Sequence, residues 1–292
     1  MFYRRKILLT LIQHLGGEVE KMRLQKLLFL YCKQKNNAEY DFIPYRFGCY
    51  SYSAKADLST MVKKGLLTET EKSYTKQDNS DYGENLKDGD FDLLKEIITN
   101  YGKLNNSALI SHTYINYPFF AINSTNLNDA LNSTNIEKVK QAIPKENEIT
   151  LFTIGYEGIS LEKYLEKLVK NNIKLLVDVR KNPHSMKFGF SKTLLKKYCA
   201  SLNIDYIHIP DLGINSDKRN NLESEKDYNE LFEDYRTTTL KTKIESQRYI
   251  LKLLKNRRRI ALTCFEAEPH KCHRSHLANA ITNIEKNIIV HL

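Results

Sequence analysis

Five reactive side chains fall within eleven positions near the C-terminus: Cys264, Glu266, Cys272, His273 and Arg274. Two thiols, a carboxylate, an imidazole and a guanidinium can supply a nucleophile, proton transfer and an anchor for an anion. They sit in IALTCFEAEPHKCHRSHLANAI, residues 260–281. An apolar β-type run ends at Cys264, Glu266 follows in a short polar loop, and Cys272 to Arg274 stand where a helix should begin. A helix N-terminus presents outward N–H groups and the positive end of the macrodipole, so it favours an anion. Arg274 adds a bidentate donor for phosphate or carboxylate. A thiol at Cys272 is expected to have its pKa lowered toward the thiolate. The plainer alternative is a buried Cys272 and an Arg274 ion-paired with Glu266 or Asp178.

Competing chemistries fit the spacing less well. The two cysteines do not match a Cys-x2–4-Cys knuckle, and no second knuckle follows. Adjacent Cys272 and His273 are expected to project in different directions from a helix. No metal or other cofactor is therefore expected, with zinc the disfavoured alternative. Sulfur or phosphoryl transfer through Cys264 wants an arginine six positions on, and that place is His270.

The elements that must carry these residues alternate from Thr150 onward. LFTIGY, KLLVDVR (174–180), DYIHIP (205–210), IALTCF and NIIVHL (287–292) read as strands. Helices are predicted from Ser160 as N-cap, over 191–202, over 222–257, and over 272–283. Strand–helix alternation predicts an α/β layer with a mostly parallel sheet and flanking helices. Ligands bind at the carboxyl ends of such strands. Tyr156, Glu157, Asp178, Arg180, Cys264 and Glu266 all fall at those ends. Glu266 and Asp178 form a candidate carboxylate pair for glycosidic-bond chemistry, or Asp178 and Arg180 simply satisfy the sheet end. KNPHSMKFGFSK (181–192) interleaves Lys181, Lys187 and Lys192 with Phe188 and Phe190. That pattern suits tracking a nucleic-acid backbone, or a lid.

TIGYEG, LLVDVR with Asn182-Pro183 after it, YIHIPDLG, and above all TCFEAEPHKCHR before a helix resemble the bacterial domain-of-unknown-function 488 family over about residues 150–292. Members commonly carry His where this chain has Tyr156. The resemblance implies the α/β fold and the location of the site more than a reaction.

Before residue 150 the periodicity is helical over 5–16, 21–35 and about 53–64, with Gly16-Gly17 and Gly65 as stops. A small helical or winged-helix-like domain is predicted over 1–75, then a wing, helix and linker region over 76–149, then the α/β domain over 150–292. RLQKLLFL and YDFIPYRFGCYS resemble the domain of SocA-like (Panacea) antitoxins over about residues 5–70. Arg23, Lys26 and Arg46 there, with Arg257 and Arg258 at a helix end, are the candidate nucleic-acid contacts; Arg274, Arg180, Cys272, Tyr156 and Lys187 are the candidate phosphate contacts.

The chain carries +10 net charge, and its second half is the more basic, with 26 Lys/Arg against 19 Asp/Glu over 145–292. A basic balance favours a polyanionic partner, DNA ahead of RNA, with a protein partner open for the N-terminal domain. Five irregularly spaced cysteines argue against a disulfide framework and for a reducing compartment. No signal peptide or spanning segment is evident, so a cytoplasmic location with no membrane contact is expected. The reading that follows is an enzyme of nucleic-acid or nucleotide chemistry, a hydrolase or glycosylase of repair or defence. Its alternative is a non-catalytic ligand sensor or toxin–antitoxin module.

Overall fold

The computed structural model describes residues 1–219, 222 and 224–292. The chain forms two compact units, Met1–Ile143 and Pro144–Leu292.

The first unit is mainly helical. Its elements are α1 (Tyr3–His14), β1 (Glu18–Glu20), α2 (Lys21–Gln34), β2 (Ile43–Tyr45), β3 (Gly48–Tyr50), α3 (Tyr52–Lys63), β4 (Leu67–Glu69), β5 (Ser73–Lys76), α4 (Asp88–Tyr101), α5 (Asn106–Asn116), α6 (Leu127–Ala130) and α7 (Ser133–Gln141). Strand β5 lies between β1 and β4 in an antiparallel sheet, and β2 and β3 form a hairpin. Leu24, Leu27, Leu28 and Tyr31 recur on one side of α2 and are buried. Leu94, Ile97, Leu109 and Phe120 pack into the same core as those α2 residues. Residues after 75 therefore complete the N-terminal core, where a separate wing and linker region was expected: an amphipathic α4 has nowhere else to bury its apolar stripe.

The second unit is an α/β layer. Its elements are β6 (Thr150–Gly155), α8 (Leu161–Lys170), β7 (Leu175–Asp178), α9 (Lys192–Ala200), β8 (Asp205–His208), α10 (Glu225–Asp234), α11 (Ile244–Arg257), β9 (Arg259–Cys264), α12 (His273–Ile284) and β10 (Ile288–His291). Of the helical stretch expected over 222–257, residue 223 lies outside the described residues; a π-helical turn, Tyr235–Leu240, extends α10. The sheet order is β10-β6-β9-β7-β8, and every pairing is parallel. Strands β6, β7 and β9 are buried along their length, as their mostly apolar sequences require for a sheet covered on both faces.

Alternation along β9 sorts the helices. Ile260 and Leu262 share a core with Leu254 of α11 and Leu277 of α12. Thr263 points the other way and receives the Tyr164 hydroxyl of α8 at 2.8 Å. Cys264 has the parity of Leu262, so the end of β9 delivers its thiol to the α12 face.

Directly beside that strand end, Gly155 terminates β6. A Cβ at Gly155 would stand 1.8 Å from the Glu266 carbonyl oxygen. Gly155→Ala should destabilise the C-terminal unit by about 1–3 kcal/mol through overpacking. Denaturant unfolding checks this; a wild-type midpoint would mean the 265–268 turn can shift aside.

Candidate active site at the carboxyl ends of the sheet

The turn that leaves β9 is tied down from three sides. The Tyr156 and Glu157 N–H groups both donate to the Phe265 carbonyl, at 3.0 and 2.9 Å. The Ala267 N–H donates to Glu157 Oε2 at 2.9 Å. Arg274 reaches back from the first turn of α12 and donates to the Glu266 and Ala267 carbonyls, at 2.5 and 2.9 Å. The Arg274 side chain has no exposed surface, and its Nε has no hydrogen-bond partner among the described residues. The expected anion anchor is thus a clamp on the backbone, closed off from solvent by the turn it holds.

Cys264, Cys272 and His273 converge beneath this turn. Their ligand atoms lie within 4.8 Å of one another. His273 Nδ1 is 3.6 Å from Cys264 Sγ and 3.9 Å from Cys272 Sγ. His273 Nε2 lies 3.0 Å from the Val179 carbonyl, which can only accept. The ring hydrogen therefore sits on Nε2, and the Nδ1 lone pair faces both sulfurs. The expectation that Cys272 and His273 diverge is corrected here. Cys272 is the N-cap, with extended backbone at φ −136° and ψ 136°, and only His273 is helical. The change of backbone conformation between them turns both side chains inward. The expected thiolate at Cys272 is corrected as well. Burial pushes its pKa well above the usual thiol value, and the Cys264 and Glu266 charges add to that. Arg274 opposes the rise but does not overcome it.

Asp178 and Arg180 form a closed network at the tip of β7. Asp178 has no exposed surface and accepts from Arg180 Nε at 2.8 Å, Arg180 Nη2 at 2.5 Å, the Arg180 N–H at 3.1 Å and the Tyr206 hydroxyl at 2.6 Å. Arg180 also donates to the Tyr156 hydroxyl at 2.8 Å and the Phe190 carbonyl at 2.9 Å. Burial opposes the Arg180 charge, and the Asp178 carboxylate more than offsets that, holding the guanidinium above its ordinary pKa. Four donors fill the lone pairs of Asp178, which leaves it no room for a proton-transfer role. Tyr156 is buried too, stacked on Phe190 at 4.2 Å between ring centroids. Lys187 donates to the Tyr156 carbonyl at 2.5 Å and fastens the 181–192 loop to the sheet end. Outside that tether, Lys181, His184, Met186, Phe188 and Lys192 are exposed.

Glu266 separates from Asp178 in environment. It lines an open cleft of about 490 Å³ together with Glu157, Glu268 and Lys271, walled by Phe265, Tyr228 and Phe232. Glu157 is among the polar strand-end residues that the sequence marks out; Glu268 and the two α10 aromatics are not. The Glu-x-Glu spacing at 266 and 268, and Tyr228 and Phe232 four apart on one helix face, are the signals that could have found them.

The basic residues proposed for nucleic acid are dispersed. Arg23 donates to the Gly102 and Leu104 carbonyls. Lys26 is buried, donates to the Phe47 carbonyl at 3.0 Å, and has its pKa lowered by burial. Both groups are occupied in holding the N-terminal unit together. Arg46 is exposed. Arg257 pairs with Asp205 at 2.7 Å, and Arg258 donates to the Asn147 carbonyl at 2.6 Å. No helix among the described residues is long and apolar enough to cross a membrane.

Residues 160–281 match the model of a family described as domain of unknown function DUF488. The C-terminal unit carries a DUF488 domain. The match runs from the N-cap of α8 into α12, so it takes in Asp178, Arg180 and the whole Cys264–Arg274 block, and leaves β6 and β10 outside. No curated protein matches the chain.

Within the DUF488 domain, Asp178→Ala would strand the Arg180 charge in the core. The expected loss is about 3–5 kcal/mol, the cost of breaking a buried pair by removing one partner. Urea unfolding measures it; a loss below about 1 kcal/mol, the range of an exposed pair, would mean water reaches Arg180.

Proposed function

We propose that the chain is a hydrolase acting on DNA or a nucleotide, with a glycosidic-type bond as the target. One observation carries this reading. Glu266, Glu157 and Glu268 gather in a single cleft with Phe265, Tyr228 and Phe232, at the carboxyl ends of β6 and β9. Carboxylates can split into a proton donor and a stabiliser of an oxocarbenium-like centre. Aromatic walls offer a flipped base a stacking surface. Glu266 takes the acid/base role because Arg274 and Gly155 fix its backbone at the cleft wall, with its Oε2 held out of solvent. A neighbouring cavity of about 980 Å³ shares Leu222, Tyr228, Phe232 and Lys271 with the cleft, so the groove continues past the carboxylates, as a polymer needs. The exposed lysines and Phe188 of the 181–192 loop supply phosphate contacts and a second stacking surface.

The N-terminal unit positions the enzyme. Its order α1-β1-α2-β2-β3-α3-β4-β5, with β1 beside β5, supports a winged-helix reading in which the β2–β3 hairpin is an insertion between α2 and α3, and with it a DNA contact through Arg46. A protein contact, as in an antitoxin-type module, is favoured by a different feature. Met22, Tyr45, Phe47, Tyr50 and Leu58 line a largely apolar cleft of about 390 Å³ in that unit.

Fluorescence anisotropy with single- and double-stranded DNA over a salt series tests the partner. Steep weakening with salt is expected; no binding at low salt would sink the DNA reading. Glu266→Gln should lower product formation by about 10²-fold or more while leaving DNA affinity unchanged. Full turnover in that variant would remove Glu266 from the chemistry.

A further inference from the structure

The buried trio Cys264, Cys272 and His273 has no part in the hydrolase roles assigned above. Its burial leaves at most 2% of any of the three side chains exposed. Two thiols and an imidazole lone pair within 4.8 Å of one another are a donor set for a thiophilic divalent ion.

We propose that Cys264 Sγ, Cys272 Sγ and His273 Nδ1 hold a zinc ion. The distances fit. Zinc–sulfur bonds of about 2.3 Å and zinc–nitrogen bonds of about 2.0–2.1 Å put sulfur and nitrogen about 3.6 Å apart on a tetrahedron, and two sulfurs about 3.8 Å apart. His273 Nδ1 stands 3.6 and 3.9 Å from the two sulfurs, and all three donor atoms fall within 4.8 Å. The second shell fits as well. Metal-bound histidines donate their other N–H to a carbonyl or carboxylate, which fixes ring orientation and tautomer. His273 does this through Nε2 to the Val179 carbonyl at 3.0 Å. The carbonyl belongs to the segment leaving β7, so the ion would tie β7, β9 and α12 together at the sheet end.

Proton balance is simple. Binding displaces one proton from each thiol, and the imidazole enters neutral and keeps its Nε2 hydrogen. Affinity therefore rises with pH. Three protein donors leave one tetrahedral position, which in a cluster this buried only a water is small enough to fill. Glu266, two residues beyond Cys264, is the group placed in sequence to take a proton from such a water; that last role rests on the hydrolase reading, and the metal site does not.

The test uses the full chain, purified under reducing conditions without chelator from zinc-supplemented cells. Elemental analysis should find about one zinc per chain, and Cys264→Ser, Cys272→Ser and His273→Gln should each lose it. Cys199→Ser, altering another buried thiol, should keep it. Because a core variant can fail to fold, the wild-type chain is also stripped of metal and titrated with cobalt. Near-ultraviolet thiolate-to-cobalt absorption and tetrahedral visible bands are expected. Metal-free protein that gives no thiolate–cobalt band overturns the site. So does a metal-free chain in which Cys264 and Cys272 are joined as a disulfide even after reductant is supplied during purification. Zinc bound in a chain that releases no product upholds the metal site and sinks the hydrolase reading instead; product released by the metal-stripped chain removes zinc from the chemistry and leaves the metal site to the cobalt titration.

Discussion

The site depends on a guanidinium with no exposed surface. Arg274 puts a full charge inside the DUF488 domain and satisfies it with two backbone carbonyls of one turn. A buried charge left without such partners is expensive, so the Glu266–Ala267 turn cannot drift away without a large penalty. Gly155 sets the opposite wall: the Glu266 carbonyl rests where any side chain on that residue would begin. Between those two limits the turn has one position. That position decides where the Glu266 side chain emerges and how deep the thiols lie.

The second buried charge works differently. At the tip of β7 the Asp178–Arg180 pair is self-contained, with Tyr206, Tyr156 and the Phe190 carbonyl completing its hydrogen bonds. Arg180 thereby joins β7 to the far end of the 181–192 loop at Phe190, and Lys187 fastens that loop to the end of β6. A loop held at Lys187 and Phe190 still presents Met186 and Phe188, on either side of the Lys187 anchor, to solvent. Exposure of large apolar side chains on a tethered loop is the condition for a binding surface that does not first have to be ordered.

Much of this was legible in the sequence, and the part that was not has a physical cause. Mostly apolar stretches, LFTIGY, KLLVDVR and IALTCF, identify buried parallel strands, and helical periodicity with caps such as Ser160 identifies the helices between them. Strand-end chemistry follows from that topology. What periodicity cannot show is rotation about one residue. Cys272 and His273 would diverge on a regular helix; they converge because the helix starts one residue later, and no pattern of residue types reports an N-cap ψ of 136°. Charge was misleading for a related reason. Arg23, Lys26 and Arg274 look alike as surface cations in a basic chain, yet each is drawn to backbone carbonyls in its own unit. Long aliphatic stems let such side chains bury most of their length, so counting them overstates the charge offered to a partner.

The carboxyl end of the sheet thus has two layers with different chemistry. The outer layer is the cleft of Glu157, Glu266 and Glu268 with its aromatic wall. The inner layer is the thiol–imidazole cluster, sealed from solvent. The ten-residue step from Cys264 to His273 links them, entering from β9 in the inner layer, crossing the outer one at Glu266, and returning to the inner one at Cys272. A bond or ion within the inner layer would close that step into a loop fixed at both ends. Closing a loop removes conformational freedom from the unfolded chain and from any loosened state of the turn. The inner cluster and Arg274 would then act on the same few residues from opposite ends, and the carboxylate between them would gain most in rigidity, which is what a proton-transferring group requires.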